Sequence, residues 1–284
     1  MTNIPTEVSR SWRSLRASSK QEKLFLLLFC VFIVLLLKFT ASSPSPDDTN
    51  FLEAMDGAMQ GDTNSILYLS LLLLRASWNG PFLNDPDKED FSDYGQSVEL
   101  SKILEMKKNG FFIEAYAGDG ENGSVSLYFE RKLDWVGLLV EYDFNAFEKL
   151  IEKERSSYGL NVGVATTDRI KLIKNRLDED GWVDPRDYHL NVPLYSLYMV
   201  MGGQEVDLLI LDTKGTEMEI LQTVPWESVK IRVMCIAYTH IPGNTRALSE
   251  YLSLKGYTLL KTHVKDMFFA SNEFLAKQKQ DRRR

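Results

Sequence analysis

Six separated residues have the chemistry to hold a nucleotide-like ligand or to move a proton. The stretch "EAYAGDG", Glu114 to Gly120, ends a strand-like run, with Gly118 and Gly120 where a strand-to-helix turn needs loose backbone. Glu114 closes that strand. Glu141 follows Gly120 by 21 residues, the spacing at which an acid reaches ribose hydroxyls beside such a turn. The other reading of Glu141 is an acid that caps the helix beginning near Asn145. Asp212, in "LDTKG", can bind a metal, a proton or an amine, or simply brace the turn before Gly215. His240, in "AYTH", can serve as a base or as a hydrogen-bonded strand end. Against these provisions, Tyr116 puts a bulky ring where a small residue lets a ligand come close.

Elements that would position these residues follow from hydrophobic periodicity. "GFFIEAY", "WVGLLVE", "VDLLILD" and "RVMCIAY" read as strands, and "NAFEKLIEKER" and "NTRALSEYLSLKG" as helices. "SVELSKILEMKK", Ser124 to Arg131 and "GTEMEILQTV" complete the helical set, and "NVGVAT" is a further strand. Val206 to Asp212 is apolar on both faces, as a central strand of a parallel sheet must be. "YTLLKTH" and "DMFFASN" are joined by only Val264 and Lys265, so they pair antiparallel. An α/β parallel sheet that ends in such a hairpin, with helices on both faces, is the layout of Rossmann-like methyltransferases. The stretch after Thr166 to about Gly203 reads as irregular, and "ILYLSLLLL" as a core-facing helix. The loop "NGPFLNDPDKEDFSDYG" reads as a solvated acidic face and the tail "KQKQDRRR" as a disordered end.

The front of the chain differs from the rest. Leu24 to Leu37 is fourteen residues without a polar group, extended by Lys38 to Ala41 if the lysine snorkels. A cleaved signal peptide and an uncleaved anchor both fit, and the 23-residue lead and Lys38 favour the anchor. Residues 1–41 carry six cations and two acids, a net +4, so the remainder of the −7 chain carries −11. With the cations before the apolar run, positive-inside behaviour leaves residues 1–23 in the cytosol and the domain lumenal. Residues 42–90 then form a stalk and helical segment, 91–275 the folded domain and 276–284 a basic tail. The acidic body argues against nucleic-acid partners. Cys30 and Cys235 are too differently placed to pair. Asn122-Gly123-Ser124 is a glycosylation sequon beside the turn, where a glycan on Asn122 would obstruct it.

"NGFFIEAYAGDGENGSVSLYFERKLDWVGLLVE", "VDLLILDTKGTEMEILQTVPWESVKI" and "AYTH" together resemble the FkbM-type methyltransferase domain over roughly residues 90–275. With "DYGQSVELSKIL" upstream and one apolar segment at the front, the chain resembles the Star-like branch of that family. The resemblance implies a fold built for S-adenosylmethionine. It also implies a membrane protein of the endoplasmic reticulum, Golgi and endosomes that moves protein cargo. Three departures bear on catalysis. Tyr116 replaces the first glycine of the family turn, Lys214 replaces the acid of its Asp-x-Glu-Gly block, and Ala237 replaces an acid before Tyr238-x-His240. Losing two carboxylates and a glycine weakens the enzymatic expectation.

Overall fold

A computed structural model of the protein describes residues 52–75, 81–174, 188–241 and 245–283. The apolar run at 24–41 lies outside them, and among the described residues no helix is long and apolar enough to cross a membrane.

In chain order the elements are α1 (Thr63–Leu71), β1 (Leu74–Arg75), α2 (Gln96–Ile103), β2 (Phe111–Ala115), α3 (Ser126–Leu133), β3 (Val136–Val140) and α4 (Phe144–Glu152). Then come β4 (Tyr158–Leu160), β5 (Gly163–Val164), β6 (Lys171–Lys174), β7 (Tyr188–Val192), α5 (Leu194–Val200), β8 (Val206–Leu211) and α6 (Glu217–Thr223). The chain closes with β9 (Ile231–Ala237), α7 (Thr245–Leu254), β10 (Tyr257–His263), β11 (Asp266–Ser271) and α8 (Asn272–Asp281).

Eight strands form the main sheet in the order β1-β4-β3-β2-β8-β9-β11-β10. β4, β3, β2, β8 and β9 run parallel, as their crossover helices require. β11 enters antiparallel between β9 and β10, and His263 pairs with Asp266 across the two-residue turn. The strand order reverses between β2 and β8, so the carboxyl ends of those two strands open onto one crevice.

Burial explains why these segments choose strand. Every residue of β2 and β8 is buried, because helices cover both faces. On one face Leu100, Phe129, Leu133, Phe147 and Leu150 pack against Phe112, Leu208, Val233 and Phe268. On the other, Ile113 and Leu209 line a small apolar cleft with Leu194 and Tyr198 of α5. Each such side chain contributes about 1.5–3 kcal/mol by leaving water. Helix starts are capped where the sequence supplies an oxygen: Asp143 accepts from the Ala146 amide at 2.8 Å, and Ser271 from the Phe274 amide at 3.2 Å.

Several expectations are corrected. The stretch after Thr166 to about Gly203 is not irregular throughout, since it supplies β6, β7 and α5, and β5-β7-β6 make a second sheet. "NVGVAT" contributes only the two residues of β5. The basic tail is helical in α8, where Phe274 and Leu275 pack on the core and Arg282 pairs with Glu105 at 2.9 Å. The acidic loop is the solvated face expected of it, and two of its exposed acids also reach lysines: Glu89 meets Lys132 at 2.7 Å, and Asp93 meets Lys265 at 2.8 Å. Its partners come from α3 and the β10–β11 hairpin, contacts that no local pattern announces.

Candidate functional site

Beneath the turn that follows β2 lies a saturated polar network. Glu114 is 3% exposed, and its carboxylate faces the start of α3 rather than the crevice. It accepts from the Val125 amide at 2.9 Å, the Ser124 hydroxyl at 3.0 Å and the Ser126 hydroxyl. A negative charge there also suits the positive end of the helix. Arg155, buried as deeply, donates to Ser124 at 3.0 Å, Ser126 at 2.7 Å and the Gly120 carbonyl at 2.8 Å, and pairs with Glu130 at 3.2 Å. Glu114, expected at the cofactor, turns its carboxylate to the start of α3, and its hydrogen bonds position that helix. Gly120 (φ 76°) serves packing as well: a Cβ there would stand 3.1 Å from Leu150 and 3.5 Å from Arg155.

Above that network the crevice begins. Gly118 (φ 58°) has open space where a Cβ would go, and its amide donates to Glu141 Oε2 at 2.8 Å. The Asp143 amide donates to Glu141 Oε1 at 2.9 Å. The 21-residue spacing thus does bring Glu141 against the glycine turn. Burial pushes the Glu141 carboxyl above its ordinary value, against the hydrogen bonds that favour its charge.

Tyr116 keeps the glycine backbone without being glycine. Its φ is 62°, in the left-handed region that costs an L-residue about 1–2 kcal/mol. The half-buried ring packs 5.0 Å from that of Tyr142, which in turn lies 5.7 Å from His189. Burial, then the nearby Tyr142, Glu141 and Glu217, push the Tyr116 phenol up to about 12. The ring thus lies beside the turn against Tyr142, near enough to Glu141 and Glu217 for their charges to act on its phenol.

The β8 end carries the second half. Asp212 lies between two lysines, 3.2 Å from Lys214 and 3.5 Å from Lys265. Lys265 reaches Asp93 as well and sits 5.9 Å from the Tyr94 ring centre. Burial works against its charge, yet Asp93 and Asp212 hold the ammonium above its ordinary value. Lys214 (φ 57°) is a second non-glycine residue in the left-handed region. Glu217, which the sequence reading missed, is buried under this turn and accepts from the Thr213 amide at 2.7 Å and the Gly215 amide at 3.0 Å. Its signal was an acid in a helix's first turn, two residues after a turn glycine. His240 is exposed, with its backbone carbonyl 2.7 Å from where a Gly215 Cβ would stand. The glycine is thus needed for close backbone packing. Burial raises the Cys235 thiol well above its ordinary value, as suits an inert core residue.

Asn122 is exposed, donating from its side chain to Asp119 at 2.6 Å. Ser124 of the same sequon is buried in the Glu114 network.

The Methyltransferase FkbM domain matches residues 113–259, a span that holds Glu114, Tyr116, Glu141, Asp212 and His240. The chain belongs to the FkbM methyltransferase family. Distant solved structures are similar to it. A precorrin-6y C5,15-methyltransferase from Geobacter metallireducens is 13% identical, covering 61% of this chain and 84% of its own, at a TM-score of 0.37. A TehB-like SAM-dependent methyltransferase from Corynebacterium glutamicum is 10% identical, covering 63% and 89%, at 0.36. A SAM-dependent methyltransferase from Geobacter sulfurreducens, in complex with S-adenosyl-L-homocysteine, is 8% identical, covering 73% and 74%, at 0.33. No curated protein matches.

S-adenosylmethionine, the group that an FkbM domain implies, can be tested against these residues. Glu141 and the open face of Gly118 fit its ribose side. Tyr116 does not fit, since it carries a ring packed on Tyr142 where a glycine would leave the turn bare, and Asp212 is already paired with Lys214 and Lys265. Taken together, the residues present do not fit the group.

Proposed function

We propose that this FkbM-family chain is a single-pass membrane protein of the secretory route whose methyltransferase-like domain binds protein cargo instead of methylating it. The apolar run at 24–41 anchors it, with residues 1–23 in the cytosol and the domain in the lumen of the endoplasmic reticulum, Golgi and endosomes. The Star-like sequence resemblance supports the trafficking role. One observation carries the loss of catalysis: Tyr116 holds a glycine's backbone conformation while its ring packs on Tyr142 beside the turn. A sulfonium cofactor lying there would collide with the phenol. It would also meet an aspartate whose charge two lysines have neutralised.

Calorimetry of the full chain in detergent with S-adenosylmethionine tests this. The parent chain gives no binding heat and Tyr116→Gly gives micromolar binding; micromolar heat from the parent overturns the reading. Topology has its own assay, in which an endoglycosidase shift abolished by Asn122→Gln reports a lumenal domain.

A further inference from the structure

We infer that the leucine-rich face of α1 and β1, from Leu67 to Leu74, lies in the headgroup layer of a bilayer as a second, non-spanning membrane contact. The inference rests on the anchored reading proposed above. Ile66 to Leu74 carries eight apolar side chains, and Leu69 is the one of them that is buried. Leu71 to Leu74 are four leucines in succession with none buried, Leu71 being 40% and Leu74 47% exposed. α1 packs on α5, and the core-facing helix expected of this stretch is core-facing along one row, Ser65 and Leu69.

Other helices show what water ordinarily enforces. α4 hides Phe147 and Leu150 and turns Glu148, Lys149 and Glu152 outward, and α7 hides Leu248 and Leu252. α1 has no charged face to turn outward. Residues 63–74 contain neither acid nor base, in a body that carries −11 beyond residue 41. A surface helix that is apolar on most sides, followed directly by a leucine run, suits a solvent that is itself apolar.

Chain length names that solvent. The apolar run of the anchor ends at residue 41 and the described domain begins at Leu52, so residues 42–51 reach at most about 35 Å. α1 starts eleven residues after Leu52, and its leucines are the first exposed apolar run that follows the anchor. Nine residues are too few to cross a bilayer, so α1 lies along the surface. Arg75 closes the run. Its guanidinium donates to the Ser156 carbonyl at 3.1 Å and lies 5.0 Å from the Tyr158 ring, which sets a cation at the polar border of the leucines. An uncharged face of this kind takes up lipid through apolar contact and needs no anionic headgroup.

The test uses the full chain reconstituted in phosphatidylcholine vesicles, with Cys30→Ser so that the buried Cys235 is the remaining native thiol. Leu71→Cys, Leu74→Cys and, as control, Lys149→Cys on the exposed side of α4 each carry an environment-sensitive fluorophore. Doxyl-labelled phosphatidylcholine is expected to quench the first two at least threefold more than the control, at unchanged melting temperatures because both leucines are exposed. Equal quenching at all three positions overturns the inference, whether α1 then faces water or a second copy. Alkaline extraction of the same vesicles separates the two readings. A retained chain with unquenched leucine positions overturns the α1 contact alone, and a released chain overturns the anchor and this inference with it.

Discussion

After β2 and again after β8, the chain leaves its strand through a non-glycine residue in the left-handed region, Tyr116 at φ 62° and Lys214 at φ 57°. Each turn also leans on a glutamate that collects its amides: Glu141 takes that of Gly118, and Glu217 takes those of Thr213 and Gly215. The fillings differ. At the first turn a half-buried ring packs on another ring, while at the second an exposed ammonium pairs with the neighbouring carboxylate. One crevice is thus altered by bulk at one end and by charge at the other. The backbone of the fold tolerates both, because its turns are held from below.

The largest expected effect breaks that support. Arg155→Met strands Glu114 and Glu130 without their countercharge and should cost about 3–5 kcal/mol, read by urea denaturation. Glu217→Ala removes the acceptor for two amides and should cost about 2 kcal/mol by the same measurement. If it costs nothing, the second turn is not braced as the first is. Next come the two left-handed residues, whose responses should differ. Lys214→Gly relieves the backbone and gives up only an exposed ion pair, so a stabilisation of about 0.5–1 kcal/mol is expected. Tyr116→Gly gains the same relief but loses the ring contact with Tyr142, about 0.5–1.5 kcal/mol, and should leave stability nearly unchanged while opening the crevice. The smallest effect is spectroscopic. Tyr116→Phe should remove one phenol that ionises near 12 from the ultraviolet titration, where an outward-swung ring would ionise near 10. The sign follows: the folded pKa is raised, so the stability that Tyr116 lends is fully present below pH 10 and fades as pH rises through about 12.

Much of this was legible from residue order alone. The double-faced apolar run of β8 announced a central parallel strand, and the two-residue link at Val264-Lys265 forced the closing antiparallel pair. The spacing of Glu141 from the glycine turn gave a contact now seen at 2.8 Å. Long-range polar partnerships were not legible. Nothing local ties Arg155 to Glu114 across 41 positions, and an acid ending a strand can turn either up to the crevice or, as Glu114 does, down to the next helix. β6 and β7 were missed because "KLIK" and "YHLNV" are short and mix polar with apolar residues, so their period is weak.

The hidden salt network around Arg155 has an evolutionary corollary. Because Glu114 and Arg155 fasten the helix start to its strand from beneath, side chains above them can change without loosening that joint. A lineage can alter the crevice of this fold one side chain at a time and keep a folded body at every step. Such a body is then free to acquire new company.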